Sequence, residues 1–165
     1  MSATTDTKKR TNERSSATNV SKLVKIAMLA AVATVLMLVE FPLPFIAPPF
    51  YELDFSEVPV LIGAFAMGPL AGAITELIKI LLNFVLNGTV TAGVGELGNF
   101  IVGCALIVPA AMIYQKSKTR KNAVIGMVVG VICMAVTGCV MNGAVLLPAY
   151  GKAFGMPIEA FVEID

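Results

Sequence analysis

The chain has 165 residues, of which 57% are hydrophobic and only 14% charged, with a mean hydropathy of +0.84. A soluble domain carries about a quarter charged residues, so this composition excludes an ordinary soluble fold and indicates a polytopic membrane protein. The net charge of +1 carries no nucleic-acid signature, and the absence of histidine removes the commonest general base.

Residues 1–20 are polar, aperiodic and rich in Ser, Thr, Lys and Arg, and they read as a disordered tail. The basic residues followed by an apolar run also invite reading as a signal peptide. No small-x-small cleavage site follows, and further apolar spans come later, so the first span is read as a retained helix. Crossing about 30 Å of hydrocarbon takes about 20 helical residues. Five candidate spans cover residues 21–40, 55–67, 69–86, 95–114 and 123–147. The fold class expected is an all-α membrane protein, a compact transmembrane helical bundle.

Between the first two spans, residues 41–54 break out of helix. Prolines at 42, 44, 48 and 49 alternate with Phe41, Leu43, Phe45, Ile46, Phe50 and Tyr51. Proline fixes φ and lacks a backbone donor, so the helix stops here. Extramembrane loops are ordinarily polar, and one this apolar must bury its side chains. It reads as a lid over an apolar ligand at the mouth of the bundle. The second span is too short to cross alone, so part of this segment sits at membrane depth, which is allowed where the backbone is buried in protein. Downstream, D-F-S-E (Asp54 to Glu57) fits a helix cap with a glutamate three residues on.

The third span carries Glu76, Lys79, Asn83 and Asn87 within one stripe at 100° per residue. A charged side chain at mid-membrane costs roughly 3 kcal/mol on insertion scales, so such a stripe faces the bundle interior or a cavity. A Glu76–Lys79 pair one turn apart would hold helices together; Lys79 and Asn83, nearer the outer end, suit a ligand. The fourth span opens G-E-L-G-N-F, placing Glu96, Asn99 and Gly103 on one face. Unpaired N–H groups at that helix start suit a ligand oxygen, although Glu96 also simply complements the helix dipole. Asn99 offers both a donor and an acceptor. Asn142 in the fifth span is either interhelical glue or a ligand contact.

Lysine and arginine set the direction. Lys8, Lys9, Arg10, Arg14, Lys22 and Lys25 precede the first span, and Lys116, Lys118, Arg120 and Lys121 separate the fourth and fifth. Both clusters are expected in the cytoplasm, with the lid and residues 87–94 outside beside Glu40, Glu52, Asp54, Glu57 and Glu96. Ala27, Ala30, Ala31 and Thr34 form a small-residue face on the first span, fit for internal packing or for docking a partner helix. Cys104, Cys133 and Cys139 lie in apolar runs and read as buried thiols; no C-x-x-C pair exists, which argues against zinc. There is no G-x-x-x-x-G-K-[ST] loop and no nucleophile–base pair, so the chain is expected not to be an enzyme and not to supply its own ATPase by that route. An odd number of spans before the final segment K-A-F-G-M-P-I-E-A-F-V-E-I-D leads us to expect a sixth helix missing from this sequence.

The run FPLPFIAPPFYELDFSEVP, followed by GPLAGAITELIKILLNFV, GELGNF and N-x-x-x-L-L-P-x-Y (Asn142 to Tyr150), closely resembles the riboflavin-specific S components, RibU type, of energy-coupling factor (ECF) transporters. The resemblance runs from the first span to the end. It implies a bundle of six membrane helices in the prokaryotic plasma membrane, both termini cytoplasmic, that takes riboflavin from outside beneath the loop after the first helix. The implied partners are a transmembrane coupling protein and two ABC ATPases, docked through small residues that match Ala27 and Ala31. No cofactor is implied; riboflavin is the transported ligand. The family's sixth helix contributes ligand contacts, and nothing here matches it. The candidate binding residues are Phe45, Phe50, Glu52, Lys79, Asn83, Asn99 and Asn142. The alternatives are an S component for another vitamin, or a membrane scaffold or truncated, non-functional membrane protein.

Overall fold

The computed structural model describes residues 3–39, 41–42, 52–53, 55–88, 93–141 and 143. Five helices follow in order: α1 (Ala3–Met37), α2 (Glu57–Met67), α3 (Pro69–Asn87), α4 (Val94–Lys116) and α5 (Arg120–Met141). Between α1 and α2, strands β1 (Phe41–Pro42) and β2 (Glu52–Leu53) pair antiparallel, Phe41 opposite Leu53 and Pro42 opposite Glu52. The apolar segment read as a lid therefore leaves and returns through a two-residue ladder; residues 43–51 lie outside the described residues.

Among the described residues, four helices are long and apolar enough to cross a membrane: Asn19–Met37, Pro69–Asn87, Gly95–Lys116 and Arg120–Met141. The fifth, α2, has 11 residues and is a shorter apolar helix. At about 1.5 Å per residue it reaches roughly half of the hydrocarbon thickness, as its length in the sequence predicts. Gly68 at φ +106°, where an L side chain would be strained, separates α2 from α3, and Pro69 then starts α3 at a position where a missing N–H costs nothing.

Three expectations need correction. Residues 3–18 continue α1, where composition predicts a disordered tail. The segment holds no proline or glycine, and once residues 19–37 are helical each further turn extends an existing helix without a new nucleus. The helix of the fifth span begins at Arg120 and not at 123, its basic start being helical; Asn142 and residues 144–147 fall outside the described residues. The cysteines are not core residues: Cys104 and Cys133 are half-buried and Cys139 is exposed. On a helix in lipid, an outward thiol is an apolar surface like its neighbours.

Neighbouring helices run antiparallel, and the contacts give the register. Gly63 faces Leu29 of α1, Gly72 of α3 sits on Ala64 of α2 and Ile107 of α4, and Gly103 of α4 meets Glu76 of α3. A fully buried cluster of Ala33, Val60, Ala64, Ile107 and Ala111 fills the centre. At the far end of α2 the Phe65 and Tyr114 rings lie 4.8 Å apart, and Gln115 Nε2 donates to the Phe65 carbonyl at 3.2 Å. Thr34 and Thr75 donate to carbonyls one turn back, each at 2.8 Å, so neither hydroxyl is left unpaired in an apolar setting.

α5 packs on α4 through Gly126 and Gly130, whose missing Cβ atoms would lie 2.7 Å from the Ala110 carbonyl oxygen and 2.5 Å from that of Leu106. Lipid is as apolar as leucine, so helices associate by close backbone approach, which small residues permit. The opposite face of α5 exposes Val124, Val128, Val131, Ile132 and Val136.

Gly130→Ala is expected to destabilise the bundle by about 1–3 kcal/mol through overpacking against a backbone atom. Gly138, with nothing within 4 Å of its absent Cβ, is the control. There alanine is expected to be neutral or to stabilise by up to about 1 kcal/mol. Thermal unfolding of the two variants in detergent measures the contrast.

Candidate substrate-binding site and its ion cluster

The register gathers the polar residues at one end of the bundle. Because the chain alternates direction, that end holds the close of α1, the β1–β2 pair, the start of α2, the end of α3, the start of α4 and the close of α5. Glu52 lies there in β2, Asn83 on the last turns of α3, and Asn99 in the second turn of α4. Met141, the neighbour of Asn142, closes α5 at the same end. The sequence-predicted residues Phe45, Phe50, Asp54 and Asn142 lie outside the described residues.

At the inner boundary of this end sits a cluster of charges. Lys79 is 1% exposed, with Nζ 2.7 Å from Glu57 Oε1, 2.8 Å from Glu76 Oε2 and 3.2 Å from Ser56 Oγ. An ammonium has three donors, and three protein oxygens surround this one. Lys79 donates hydrogen bonds to Glu57 and Ser56 and pairs by charge with Glu76, so in this arrangement the ammonium that the polar stripe suggested for a ligand is engaged with protein oxygens. Glu76, 0% exposed, is held one turn back on the same helix. Its place exists because position 103 is glycine: a Cβ there would stand 2.5 Å from Glu76 Oε1. Both carboxylate oxygens of Glu76, and Glu57 Oε2, are buried without hydrogen-bond partners among the described residues, so Glu76 meets Lys79 as an ion pair only.

The capping expectation for D-F-S-E falls on Asp54, which lies outside the described residues. The N-cap of α2 is Ser56, which makes no side-chain cap bond, and Glu57 turns to Lys79 across 22 residues of sequence. An ion pair inside a low-dielectric bundle outweighs a cap that water-exposed ends would favour. Sequence reasoning placed Glu57 at a helix start but missed this partner. The available signal was an acidic residue opening one apolar helix and a lysine inside the next.

Toward the open end, Asn87 Nδ2 donates to Asn83 Oδ1 at 3.1 Å, continuing the stripe on α3. On α4, Gly103 is buried and Asn99 exposed, so the face that packs on α3 at Gly103 is left uncovered a turn nearer the end. Glu96 is half-buried, and its Oε2 has no hydrogen-bond partner among the described residues. The small-residue face of α1 divides: Ala30 and Thr34 are buried inside the chain, whereas Ala27 and Ala31 are exposed.

A helical bundle of membrane-spanning length, with polar side chains gathered at one end and no nucleophile–base pair among the described residues, has the form of a binding subunit. The comparisons specify which. Residues 21–164 match the family model for the ECF transporter substrate-specific component, and the chain belongs to that family. It is therefore a transport component and not an enzyme. It is 38% identical over 135 residues to the riboflavin transporter RibU of Staphylococcus aureus, covering 82% of this chain and 70% of that protein. To the riboflavin transporter FmnP of Bacillus subtilis it is 37% identical over 132 residues, 79% of this chain and 69% of the relative. A solved structure of the S component of a bacterial ECF transporter superposes with a TM-score of 0.72 at 38% identity, covering 81% of this chain and 77% of that one.

Removing the cation alone tests the cluster. Lys79→Met is expected to cost about 3–5 kcal/mol of stability because it leaves two carboxylates buried without a counter-charge. Adding Glu57→Gln and Glu76→Gln to it is expected to recover most of that loss, as read from unfolding in detergent.

Proposed function

We propose that this chain is the riboflavin-capturing subunit of an ECF-type transporter, taking the vitamin at the bundle end that carries β1–β2, Asn83 and Asn99. The observation that carries this reading is its 38% and 37% identity to riboflavin transporters over about four-fifths of its length. The residue chemistry supports the same ligand. A tricyclic flavin ring buries about 300 Å² of largely apolar surface, worth about 7 kcal/mol at about 25 cal/mol per Å² before binding costs. Phe45 and Phe50 in the proline-rich segment suit that ring. Its uracil-like edge and ribityl hydroxyls need mixed donors and acceptors, which Asn83, Asn99 and Asn142 supply, with Glu52 at the rim.

In this reading the capture end faces outward and the N-terminus is cytoplasmic, as the basic clusters before α1 and between α4 and α5 direct. Uptake is driven by partners, a transmembrane coupling protein and two ABC ATPases, and the exposed Ala27 and Ala31 are the docking surface. Small residues allow a partner helix to approach closely.

Titrating the purified full-length protein with riboflavin is expected to quench flavin fluorescence, with neither thiamine nor biotin competing. Displacement by either rival would assign the pocket to another vitamin. Asn83→Ala and Asn142→Ala are expected to weaken riboflavin binding by about 1–3 kcal/mol each, the cost of leaving a buried ligand group unpaired. Wild-type affinity in both variants would remove them from the site. Ala27→Trp and Ala31→Trp are expected to prevent assembly with the coupling protein while riboflavin still binds. Copurification with the partner subunits measures the first effect.

A further inference from the structure

The charges that the capture reading leaves unused are those of the Lys79 cluster. Its two carboxylates are not equivalent. Glu76 rides on the same helix as Lys79, is 0% exposed and is enclosed against Gly103. Glu57 belongs to a different helix, is 21% exposed and opens α2 only four residues after strand β2 ends. Ser56, beside it and 1% exposed, also accepts from Lys79. Strand β2 is paired in turn to β1, which follows α1. One ammonium on α3 therefore holds Ser56 and Glu57, which follow the strand pair in the chain.

The geometry points to Lys79 as a positioning residue that fixes the β1–β2 pair at the capture end through Glu57 and Ser56, with Glu76 as its standing counter-ion. Removing one partner of a buried pair is costly because the other charge is stranded. Here Glu76 remains beside Lys79 when Glu57 leaves, so no cation is stranded, and Glu57 moves toward the more exposed side of the cluster. Glu57 competes with Glu76 for the same ammonium, so weakening Glu76 tightens the Glu57 tie.

The inference rests on the riboflavin reading for one of its two assays only. In full-length protein reconstituted in nanodiscs, Glu57→Gln is expected to speed riboflavin release roughly tenfold by stopped-flow fluorescence. Glu76→Gln, which removes the same formal charge from the same cluster, is expected to release riboflavin no faster than wild type. A general contribution of the cluster to bundle stability, or a direct contact between Lys79 and the flavin, would move both variants in one direction. Faster release in both, or unchanged release in Glu57→Gln, overturns the proposal. The second assay needs no ligand. The chain has no tryptophan, so Phe41→Trp places a unique fluorophore in β1. Iodide quenching of that tryptophan is expected to rise about twofold in the Glu57→Gln background and not in the Glu76→Gln background; equal quenching in all three proteins overturns the proposal. If wild type fails to bind riboflavin at all, the capture reading falls, and the iodide assay alone decides the role of Lys79.

Discussion

Lys79 carries its charge into a bundle whose other buried side chains are mostly apolar, and it can do so because three oxygens surround its ammonium. Taking an unpaired ion out of water costs several kcal/mol even after relaxation, so the partners are a condition of the fold as much as a decoration of it. They come from two helices, and room for one of them is made by a third: Ser56 and Glu57 on the approach to α2, Glu76 on α3, and the vacancy of Gly103 on α4. Replacing any of these alters how three helices meet. The same cluster divides the bundle into two parts. Below it lie alanine, valine and isoleucine in close contact; beyond it lie the amides and the strand pair of the capture end.

Close contact below the cluster is what keeps it dry. Among helices in lipid, the gain from hiding apolar surface is small, so association depends on how nearly the backbones approach. Gly72 against Ala64 and Ile107, Gly126 against Ala110, and Gly130 against Leu106 bring the backbones as near as carbon and oxygen allow. This packing also sets the register. With Ala64 fixed on Gly72, Glu57 falls level with Lys79, and with Ile107 fixed on Gly72, Gly103 falls level with Glu76. The small residues thus align the charges, and the charges in turn align the start of α2 with the end of α3.

Much of this architecture was legible in the sequence, and what was not has identifiable causes. The helical spans, the short second helix, the break at Pro42 and the polar stripe on α3 follow from composition, length and 3.6-residue periodicity, which are local properties. The division of Ala27 and Ala31 from Ala30 and Thr34 was not visible, because all four share one side of the helix and only the position of α2 and α3 decides which are covered. Glu57 was read as part of a cap for a similar reason. A cap is local and can be scored from four residues, whereas its actual partner lies 22 residues away and is selected by how two helices align. The helical run over residues 3–18 was missed because polar composition speaks to isolated chains and not to a segment continued from a membrane helix.

The count of charges in the cluster is the least expected feature and the most informative. One carboxylate neutralises one ammonium, and Glu76 does so from the same helix at 2.8 Å. Neutrality and burial are satisfied by that pair, so a stable bundle has no electrostatic need for Glu57. Adding it desolvates a second carboxylate beside the first, an arrangement that well-packed apolar residues would improve on if stability were the only demand. Its position explains its presence. Glu57 stands where the chain passes from the strand pair into the bundle, on the more exposed side of Lys79. A subunit that must accept a ligand and later give it up needs its entrance held by a contact that can be exchanged, not by one whose loss strands a buried charge. A cation shared between a permanent and a removable carboxylate meets that requirement within a bundle otherwise built to stay shut.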